Sequence, residues 1–352
     1  MATLNLFDSL PPSRADERHH IRAPGGYEWW EFEAHDPAQG IRVFLSFHDG
    51  FAFHPEYVGR YDAYRRRPTV RNPPVPSQYP CVQCSVYENG IPSGRSTMPL
   101  PTGAFQADPA ANTLTVGAHR LEFGASETNV KIDFPEPAMS LELVFRPRSF
   151  SQPMEQAVPC RQTALAEHRW VLAQPLCEVE GGIRLGGRNI GFHGLGYHDH
   201  YYGTAAVDPS LGQWMRGRAI SPGRSVAFQV TREHASGLDQ FIAAAADESG
   251  VRALESVPFG INWDKRTFRG LVYPSAVQFG QSLILRRPRR IDSSPTSLLL
   301  AFDAYLDGES CETWAQIVYP SRLHKRPVYC EMVDWLAGRQ TKIFPVPSSV
   351  SR

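Results

Sequence analysis

Proline and glycine recur so often along this chain that they restrict what it can fold into. Its 352 residues include 30 prolines and 28 glycines, which leave few stretches long enough for an uninterrupted helix. Between them lie short runs rich in β-branched and aromatic residues, and residues 129–134 and 140–145 alternate apolar and polar side chains. The turn-forming pairs Asp49-Gly50, Asn89-Gly90 and Asp307-Gly308 each lie between apolar runs. The pattern predicts an all-β protein with antiparallel strands, of the sandwich or barrel kind.

Two segments fit a helix instead. Residues 55–66 carry tyrosines at helical spacing before Pro73-Pro74, and residues 327–338 begin with proline and end with glycine. The second segment contains VYCEMVDWL, which also fits a strand. The glycine pairs of residues 181–187 predict a hairpin turn, and the basic residues 286–296 predict a solvated connection between strands.

The composition is that of an ordinary globular protein, because 42% of the residues are apolar and 20% are charged. Lys and Arg balance Asp and Glu at 36 each, so the chain lacks the basic surplus that nucleic-acid binding requires. The N-terminus has no signal-peptide pattern, and no run approaches the ~18 apolar residues of a spanning helix. We therefore expect a cytoplasmic protein that keeps its scattered cysteines reduced and binds no nucleic acid.

The length suffices for two β-rich units of similar size. Polar and proline residues interrupt the rhythm of strands at residues 149–167, which is typical of a boundary. We predict an N-terminal extension over residues 1–20, an N-terminal β-domain over residues 21–160 and a C-terminal β-domain over residues 161–345.

The segment GYHDHYYG, residues 196–203, concentrates titratable and aromatic side chains between glycines. As a strand, it points Tyr197, Asp199 and Tyr201 to one face and its two histidines to the other. So many such groups are hard to explain as surface decoration, and in β-proteins with an interior cavity one face of each strand lines the ligand site. We predict that this segment forms the floor of a buried pocket.

On the first of these faces, Asp199 is the predicted acid. Burial raises the pKa of an aspartate because it penalises the anion, so the carboxyl group can remain a proton donor near neutral pH. The stretch EHRW places His168 and Trp170 on a common face, and together with Tyr197 they add a polar partner and aromatic rings that stabilise cations. The set suits protonation of a carbon–carbon double bond.

Two other interpretations of these residues stay open. His198 and His200 form a two-ligand arm that His193 and His168 extend, but no carboxylate follows at the spacing that such metal sites use. We therefore predict no metal. In the other interpretation, Asp199 and the histidines form a hydrogen-bonded network that ties strands together.

A second aromatic cluster, GYEWWEFEAHD, occupies residues 26–36. Alternation along a strand separates Trp29 from Glu28 and Trp30. Adjacent tryptophans are costly to expose, so we expect both faces to be covered. Core packing explains this cluster as well as the alternative, in which Glu28 reaches the cavity as a hydrogen-bonding group.

The pair YEWWEFEAHD and, about 170 residues later, GLGYHDHYYG resembles the hydroxyneurosporene synthase (carotenoid 1,2-hydratase) and AttH-like family. That family has a YEWWYFD-like opening and a G-x-GYxDHxxG segment. QWMRGR resembles its W-x-x-GR strand, and VYCEMVDW resembles its closing strand. The chain departs from the family at Glu31 and Glu33, where Tyr and Asp are usual, and at Tyr201-Tyr202, where Asn-Trp is common.

The resemblance implies two tandem lipocalin-like antiparallel β-barrel domains and catalysis without metal or organic cofactor. In the carotenoid hydratases an Asp, a His, a Trp and a Tyr are implicated in adding water to a terminal isoprenoid double bond. Those roles fall here on Asp199, His168, Trp170 and Tyr197. We expect the substrate-binding positions to be Glu28, Trp30, His198, His200, Tyr201 and Trp214.

These features predict a cofactor-independent enzyme that protonates a double bond of an apolar isoprenoid or polyene, a hydro-lyase or cyclase of natural-product biosynthesis. The family also contains Diels–Alder cyclases, so a pericyclase that orients a polyene is one alternative. A non-catalytic binder of an apolar ligand is another. The expected partner is an apolar small molecule, and peripheral association with a membrane would give access to it.

Overall fold

The computed structural model describes residues 7–69, 72–135, 138–148, 152–158, 167–207, 211–234, 236–254, 257–337 and 342–343. This part of the chain contains the helices α1 (Pro55–Arg66) and α2 (Arg326–Ala337), and neither is long and apolar enough to cross a bilayer. The remaining regular structure is almost entirely antiparallel strands, so the prediction of an all-β fold is confirmed.

The first sheet contains nearly all strands of the first 203 residues and one short strand near the C-terminus. Its strands are β1 (Asp8–Ser9), β2 (Tyr27–Asp36), β3 (Ile41–Gly50), β4 (Cys81–Glu88), β5 (Ile91–Pro99), β6 (Phe105–Asp108), β7 (Thr113–Val116), β8 (His119–Phe123), β9 (Thr128–Phe134), β10 (Met139–Pro147), β11 (Met154–Ala157), β12 (His168–Leu185), β13 (Arg188–Gly203) and β25 (Lys342–Ile343). Their hydrogen-bonded order is β25-β5-β4-β3-β2-β13-β12-β10-β9-β8-β7-β6, with β11 between β1 and β12. The segment 196–203 is therefore part of a central strand that pairs with β2 on one side and β12 on the other.

The second sheet follows in sequence. Its strands are β14 (Leu211–Ser221), β15 (Arg224–Glu233), β16 (Asp239–Asp247), β17 (Gly250–Ala253), β18 (Phe259–Asn262), β21 (Ala276–Phe279), β22 (Leu283–Ser293), β23 (Ser297–Leu306) and β24 (Glu309–Val318). They pair in the order β17-β16-β15-β14-β24-β23-β22-β21-β18. A small separate hairpin joins β19 (Lys265–Arg266) to β20 (Val272–Tyr273).

Each sheet curls around an apolar core of its own, and a third layer lies between the sheets. On β3, Val43 and Leu45 point into the first core, whereas Ser46 and His48 point towards the second sheet. The third layer combines a cluster of aromatic side chains with buried charges. Its large members are Tyr27, Trp29, Trp170, Tyr197, Tyr201 and Trp214.

The helix predicted over residues 55–66 is confirmed as α1. The second candidate segment is also a helix, α2, so the resemblance of VYCEMVDW to a closing strand is wrong. The reason is its helical spacing: Val328 and Met332 lie four residues apart on one face, and Met332 packs in a buried cluster with Val58 of α1.

Three local predictions need correction. Residues 286–293 continue β22 rather than forming a loop, and Pro288 is tolerated because it lies at a register shift beyond the reach of β21. Asp49-Gly50 ends β3 instead of turning a hairpin, whereas the turns at Asn89-Gly90 and Asp307-Gly308 are confirmed. In residues 181–187, only the last two form the turn.

The predicted boundary at residues 149–167 lies largely outside the described residues. The division into residues 21–160 and 161–345 stays a prediction, and the hydrogen bonds place β12 and β13 in the first sheet. Part of the predicted extension over residues 1–20 is described, and it packs on the first sheet.

We predict that Leu143→Ala lowers the free energy of unfolding by about 2–5 kcal/mol, because Leu143 is buried in the first core on β10. Glu142→Ala on the same strand is the control, since Glu142 is exposed and its ion pair with the exposed Lys131 contributes little to stability. Thermal and denaturant unfolding of both variants would measure this. Equal losses would contradict the assigned faces of β10.

Candidate active site

Asp199 lies on β13 and faces the second sheet, with its side chain fully buried. Three donors point at a single carboxylate oxygen, Oδ2. The hydroxyl of Tyr197 lies 2.8 Å away, Nε1 of Trp170 lies 2.9 Å away and Nη2 of Arg218 lies 3.3 Å away. Because all three groups donate, Oδ2 acts purely as an acceptor.

The second oxygen, Oδ1, is buried and has no hydrogen-bond partner within the described part of the chain. A proton on Asp199 therefore belongs on Oδ1, where it competes with no donor. Burial raises the pKa of Asp199, Arg218 opposes that rise, and the negative charge of Glu31 adds to it, so the pKa lies above its ordinary value.

Glu31 lies two residues after Trp29 on the same face of β2, and its pKa is shifted in the opposite direction. It accepts from Nη2 of Arg218 at 2.6 Å and from Nη1 of Arg216 at 2.8 Å. Burial raises the pKa of Glu31, but the two guanidinium groups outweigh it and lower the pKa to about 2. Arg218 thus joins two carboxyl groups whose pKa values are pushed apart, that of Asp199 upwards and that of Glu31 downwards.

The charges of this layer balance when Asp199 is ionised. Glu33 accepts from Arg42 at 2.6 Å and from Arg218 at 3.0 Å, so the two sheets share a chain of buried ion pairs. Three guanidinium groups then face three carboxylates. Loss of the Asp199 proton leaves an anion that the surrounding charges already compensate.

Aromatic rings enclose the arginines. The guanidinium carbon of Arg216 lies 5.0 Å from the ring centre of Tyr201 and 5.4 Å from those of Trp29 and Trp214. The guanidinium of Arg218 lies 4.2 Å from the ring centre of Tyr197. These distances are typical of cation–π contacts, so the rings of this layer already face positive charge.

A cavity of about 160 Å³ lies beside this network, between β2–β5 of the first sheet and β14, β23 and β24 of the second. Glu31, Arg216 and Arg218 form its wall nearest Asp199, so Asp199 is one side chain removed from the cavity. His48 also lines it and bonds through Nε2 to Ser46 Oγ at 2.9 Å. Burial lowers the pKa of His48 to about 3, so its ring is neutral.

Comparison with known proteins identifies the family. The family model of the carotenoid hydratase CrtC matches residues 58–261, more than half of the chain. The chain belongs to the CrtC carotenoid hydratase family. The matched range includes Trp170, Tyr197, Asp199 and Arg218, so the carboxyl group and its three donors lie inside it. The predicted family and the predicted class, a hydro-lyase or cyclase, are confirmed.

Two characterised relatives and one solved structure are similar to this chain. A protein of Chlorobaculum tepidum named hydroxyneurosporene dehydrogenase is 26% identical, over 93% of this chain and 91% of the relative. The acyclic carotenoid 1,2-hydratase of Cereibacter sphaeroides is 26% identical, over 49% of this chain and 60% of the relative. An AttH-type structure from Nitrosomonas europaea has a TM-score of 0.62 at 14% identity, covering 89% of this chain and 98% of that one. It confirms the tandem lipocalin-like fold.

The structure separates the predicted site residues into two groups. Trp170 and Tyr197 contact Asp199, and Tyr201 and Trp214 lie in the same layer between the sheets, where Gln229 bonds to both. The remaining substrate-binding predictions, Glu28, Trp30, His198 and His200, face the interior of the first sheet.

His168 is the first residue of β12 and pairs with Gly203 of β13, whereas Asp199 pairs with Leu172. Its Nδ1 lies 3.0 Å from the hydroxyl of Tyr27. The approach is so close that a Cβ on Gly203 would lie 2.9 Å from Nδ1 of His168 and 2.7 Å from the ring of Tyr27. The residue at position 203 must therefore be glycine for this pair to form.

The histidines of β13 anchor the N-terminal segment. His200 donates from Nδ1 to the carbonyl of Ala15 and contacts Glu28 through Nε2 at 3.1 Å, while His198 contacts Asp16 through Nε2 at 2.6 Å. His198 also stacks on Phe32 with ring centres 3.9 Å apart. Strand alternation was thus right to separate these rings from Asp199.

A metal could be considered only at one place among the described residues, where His19, Glu28 and His200 bring ligand atoms within 4.8 Å of one another. Both rings contact the same oxygen, Oε1 of Glu28, at 2.9 and 3.1 Å. Burial raises the pKa of Glu28, but bonds from the two histidines lower it to about 2. A carboxylate held by two imidazole donors accounts for this cluster, and the absence of a metal stays a prediction.

Sequence reasoning missed the arginines and the glutamates that they bind. Trp214, Arg216 and Arg218 alternate in QWMRGR and so share one face of β14, a signal that was present in the sequence. Glu31 and Glu33 were noted only as departures from the family pattern. Their partners come from a strand about 185 residues away, and no local pattern pairs them.

We predict that the contact between His198 and Asp16 stabilises the protein at low pH and less so at high pH. Burial lowers the pKa of His198, but Asp16 raises it above the ordinary value of 6.5. Stabilisation is therefore complete below pH 6.5 and is lost as the pH rises through the raised pKa. We expect Asp16→Asn to lower the melting temperature by about 2–4 °C near pH 6, with a difference from the wild type that shrinks towards pH 9.

Glu17→Gln is the matched control, because Glu17 is exposed and pairs only with exposed Arg14 among the described residues. Its difference from the wild type should be small at every pH. A difference for Asp16→Asn that does not change with pH would contradict the predicted imidazolium.

Proposed function

We propose that this protein is a cofactor-independent enzyme that protonates a carbon–carbon double bond of an apolar isoprenoid or polyene and thereby hydrates or cyclises it. The family supports hydration or cyclisation of a polyene. The single observation that carries the protonation step is the Asp199 carboxyl group, with one oxygen fixed by three donors and the other buried without a partner.

The reaction balances without an electron acceptor. Because Asp199 lies one side chain behind the cavity wall, the proposed step requires the Arg218 side chain to move aside for the alkene. The Oδ1–H bond of Asp199 then breaks, its proton forms a C–H bond with one alkene carbon, and the π electron pair makes that bond. The other carbon becomes a tertiary cation. Water attacks it to form a C–O bond, and the proton that water releases returns to the Asp199 carboxylate. In a cyclisation, a second double bond attacks the cation and a neighbouring C–H bond supplies the returning proton.

The groups around Asp199 act on its conjugate base. Tyr197, Trp170 and Arg218 already point at Oδ2, so the anion that forms on proton transfer is stabilised without reorganisation. Burial keeps the proton in place before substrate binds, and these donors make its release feasible. Tyr197 and Trp170 thus hold the Asp199 carboxyl group in place.

His168 is assigned a lesser role than the family resemblance implies. It bonds Tyr27, which packs in the same aromatic layer as Trp29 and Trp170. We propose that His168 positions this layer and that Asp199 itself recovers the proton. The similarity to a protein named a dehydrogenase does not require redox chemistry, because the other relative and the family model are hydratases.

We predict that Asp199→Asn reduces turnover of an acyclic carotenoid or a shorter polyene by about 10²- to 10⁴-fold, because the amide cannot donate an acidic proton. Mass spectrometry would follow the gain of one water or the formation of a cyclic isomer. Asp36→Asn is the matched control. Asp36, at the end of β2, is buried like Asp199, but it accepts hydrogen bonds from Gln39 and from the backbone N–H of His193, away from the cavity.

Full turnover by a folded Asp199→Asn variant would contradict the proposal and favour a pericyclase, in which orientation of the substrate provides the rate. Recovery of unchanged ligand from the wild type would favour a binding protein instead.

We predict that dialysis against EDTA leaves turnover unchanged, since the proposed proton transfer uses only protein groups and water. Metal analysis of the dialysed enzyme would verify that divalent ions were removed. Activity that disappears on dialysis and returns with a divalent metal would contradict cofactor independence.

A further inference from the structure

One aromatic side chain is exposed to solvent at the tip of the hairpin β19–β20. Phe268 is 89% exposed, more than any other large apolar residue of the described chain. The residues around it in sequence, Lys265, Arg266 and Arg269, are exposed and basic. A lone aromatic ring surrounded by cationic side chains is a common composition for a segment that lies in the interface of a lipid bilayer.

The hairpin borders a groove that adjoins the cavity of the candidate active site. Phe268, Arg269 and Arg290 line one side of this groove, which has a volume of about 590 Å³, and Glu331 and Trp335 of α2 line the other. The groove shares four residues with the cavity wall: Asp292, Ser293, Ser294 and Trp335. These residues form a common wall, so the groove adjoins the cavity beside α2.

Positive charge is concentrated in two stretches of sequence in this region, although the whole chain is neutral and Asp292, Glu331 and Asp334 also line the groove. The stretches KRTFR (265–269) and RRPRR (286–290) hold seven basic residues and no acidic residue, and all seven are exposed. Within the described part of the chain, Arg269 pairs with Glu331 at 3.4 Å and Arg287 pairs with Asp303 at 3.7 Å, and both pairs are exposed and weak.

We propose that the hairpin tip and the second half of β22 form a docking surface for an anionic lipid bilayer. Phe268 enters the boundary between headgroups and acyl chains, while the lysine and arginines contact anionic headgroups. The groove then faces the bilayer and passes an apolar substrate to the cavity. This inference rests on the proposed function for the choice of substrate, whereas the docking itself does not.

Charge complementarity favours a bilayer over another occupant. Guanidinium groups precede and follow Phe268 in sequence and match an anionic surface, and the single protruding ring suits insertion more than a flat apolar interface between proteins. On the far side of the groove, Trp335 of α2 is half-buried and lines the same opening, so it offers a second apolar contact.

The test is co-sedimentation of the full chain with vesicles of phosphatidylcholine alone or mixed with phosphatidylglycerol. We expect binding to the anionic vesicles only, and weaker binding at higher salt. Phe268→Ser should lower the bound fraction several-fold, and the double variant Lys265→Glu/Arg266→Glu should lower the affinity at least about tenfold.

Two control variants test whether the effect belongs to this surface. Tyr305→Ser removes another exposed aromatic side chain, which is 43% exposed near the C-terminal end of β23. Arg120→Glu/Arg184→Glu reverses two exposed charges on the first sheet. Both should bind as the wild type does. Equal losses in test and control variants, equal binding to uncharged vesicles, or no binding by the wild type would overturn the proposal.

Turnover separates this inference from the proposed function. With substrate dispersed in detergent micelles, Lys265→Glu/Arg266→Glu should turn over like the wild type, whereas with substrate dissolved in anionic vesicles it should lose most of its rate. Equal rates from vesicles would overturn the docking surface. No turnover by the wild type in micelles would count against the proposed function and leave the binding result standing on its own.

Discussion

The rest of the site depends on the ion pairs that the guanidinium group of Arg218 forms. It crosses from the second sheet to the first and contacts Glu31, Glu33 and Asp199. A buried charge of this kind is strongly unfavourable unless every partner is in place, so the two sheets can pack closely only in the register that supplies these carboxylates. Burial raises the pKa of Asp199 against the opposing charge of Arg218, whereas Arg216 and Arg218 together lower the pKa of Glu31.

The two apolar cores make this arrangement possible. Because each sheet buries its apolar face in its own core, the opposite faces are free to carry charged and aromatic side chains where they meet. The resulting layer is buried between the two sheets. The cavity at its edge is therefore bordered by charges that the surrounding donors and carboxylates already hold in place.

Alternation along strands was sufficient to predict the all-β class and to place Asp199, Tyr197 and Trp170 together. It was insufficient wherever the outcome depended on a partner distant in sequence. The four predicted residues Glu28, Trp30, His198 and His200 share the other face of their strands, which the N-terminal segment covers. The segment at α2 fitted both periodicities, and its contact with α1 decided between them.

The acidic residues at positions 31 and 33 have an evolutionary consequence. Where the family pattern has tyrosine in place of Glu31, the arginines corresponding to Arg216 and Arg218 would lose the carboxylate that each now binds. Single substitutions on this path leave an uncompensated charge between the sheets. Residues 31 and 216 are thus expected to covary among homologues, whereas Arg218 belongs to the W-x-x-GR strand of the family and keeps Glu33 and Asp199 as partners.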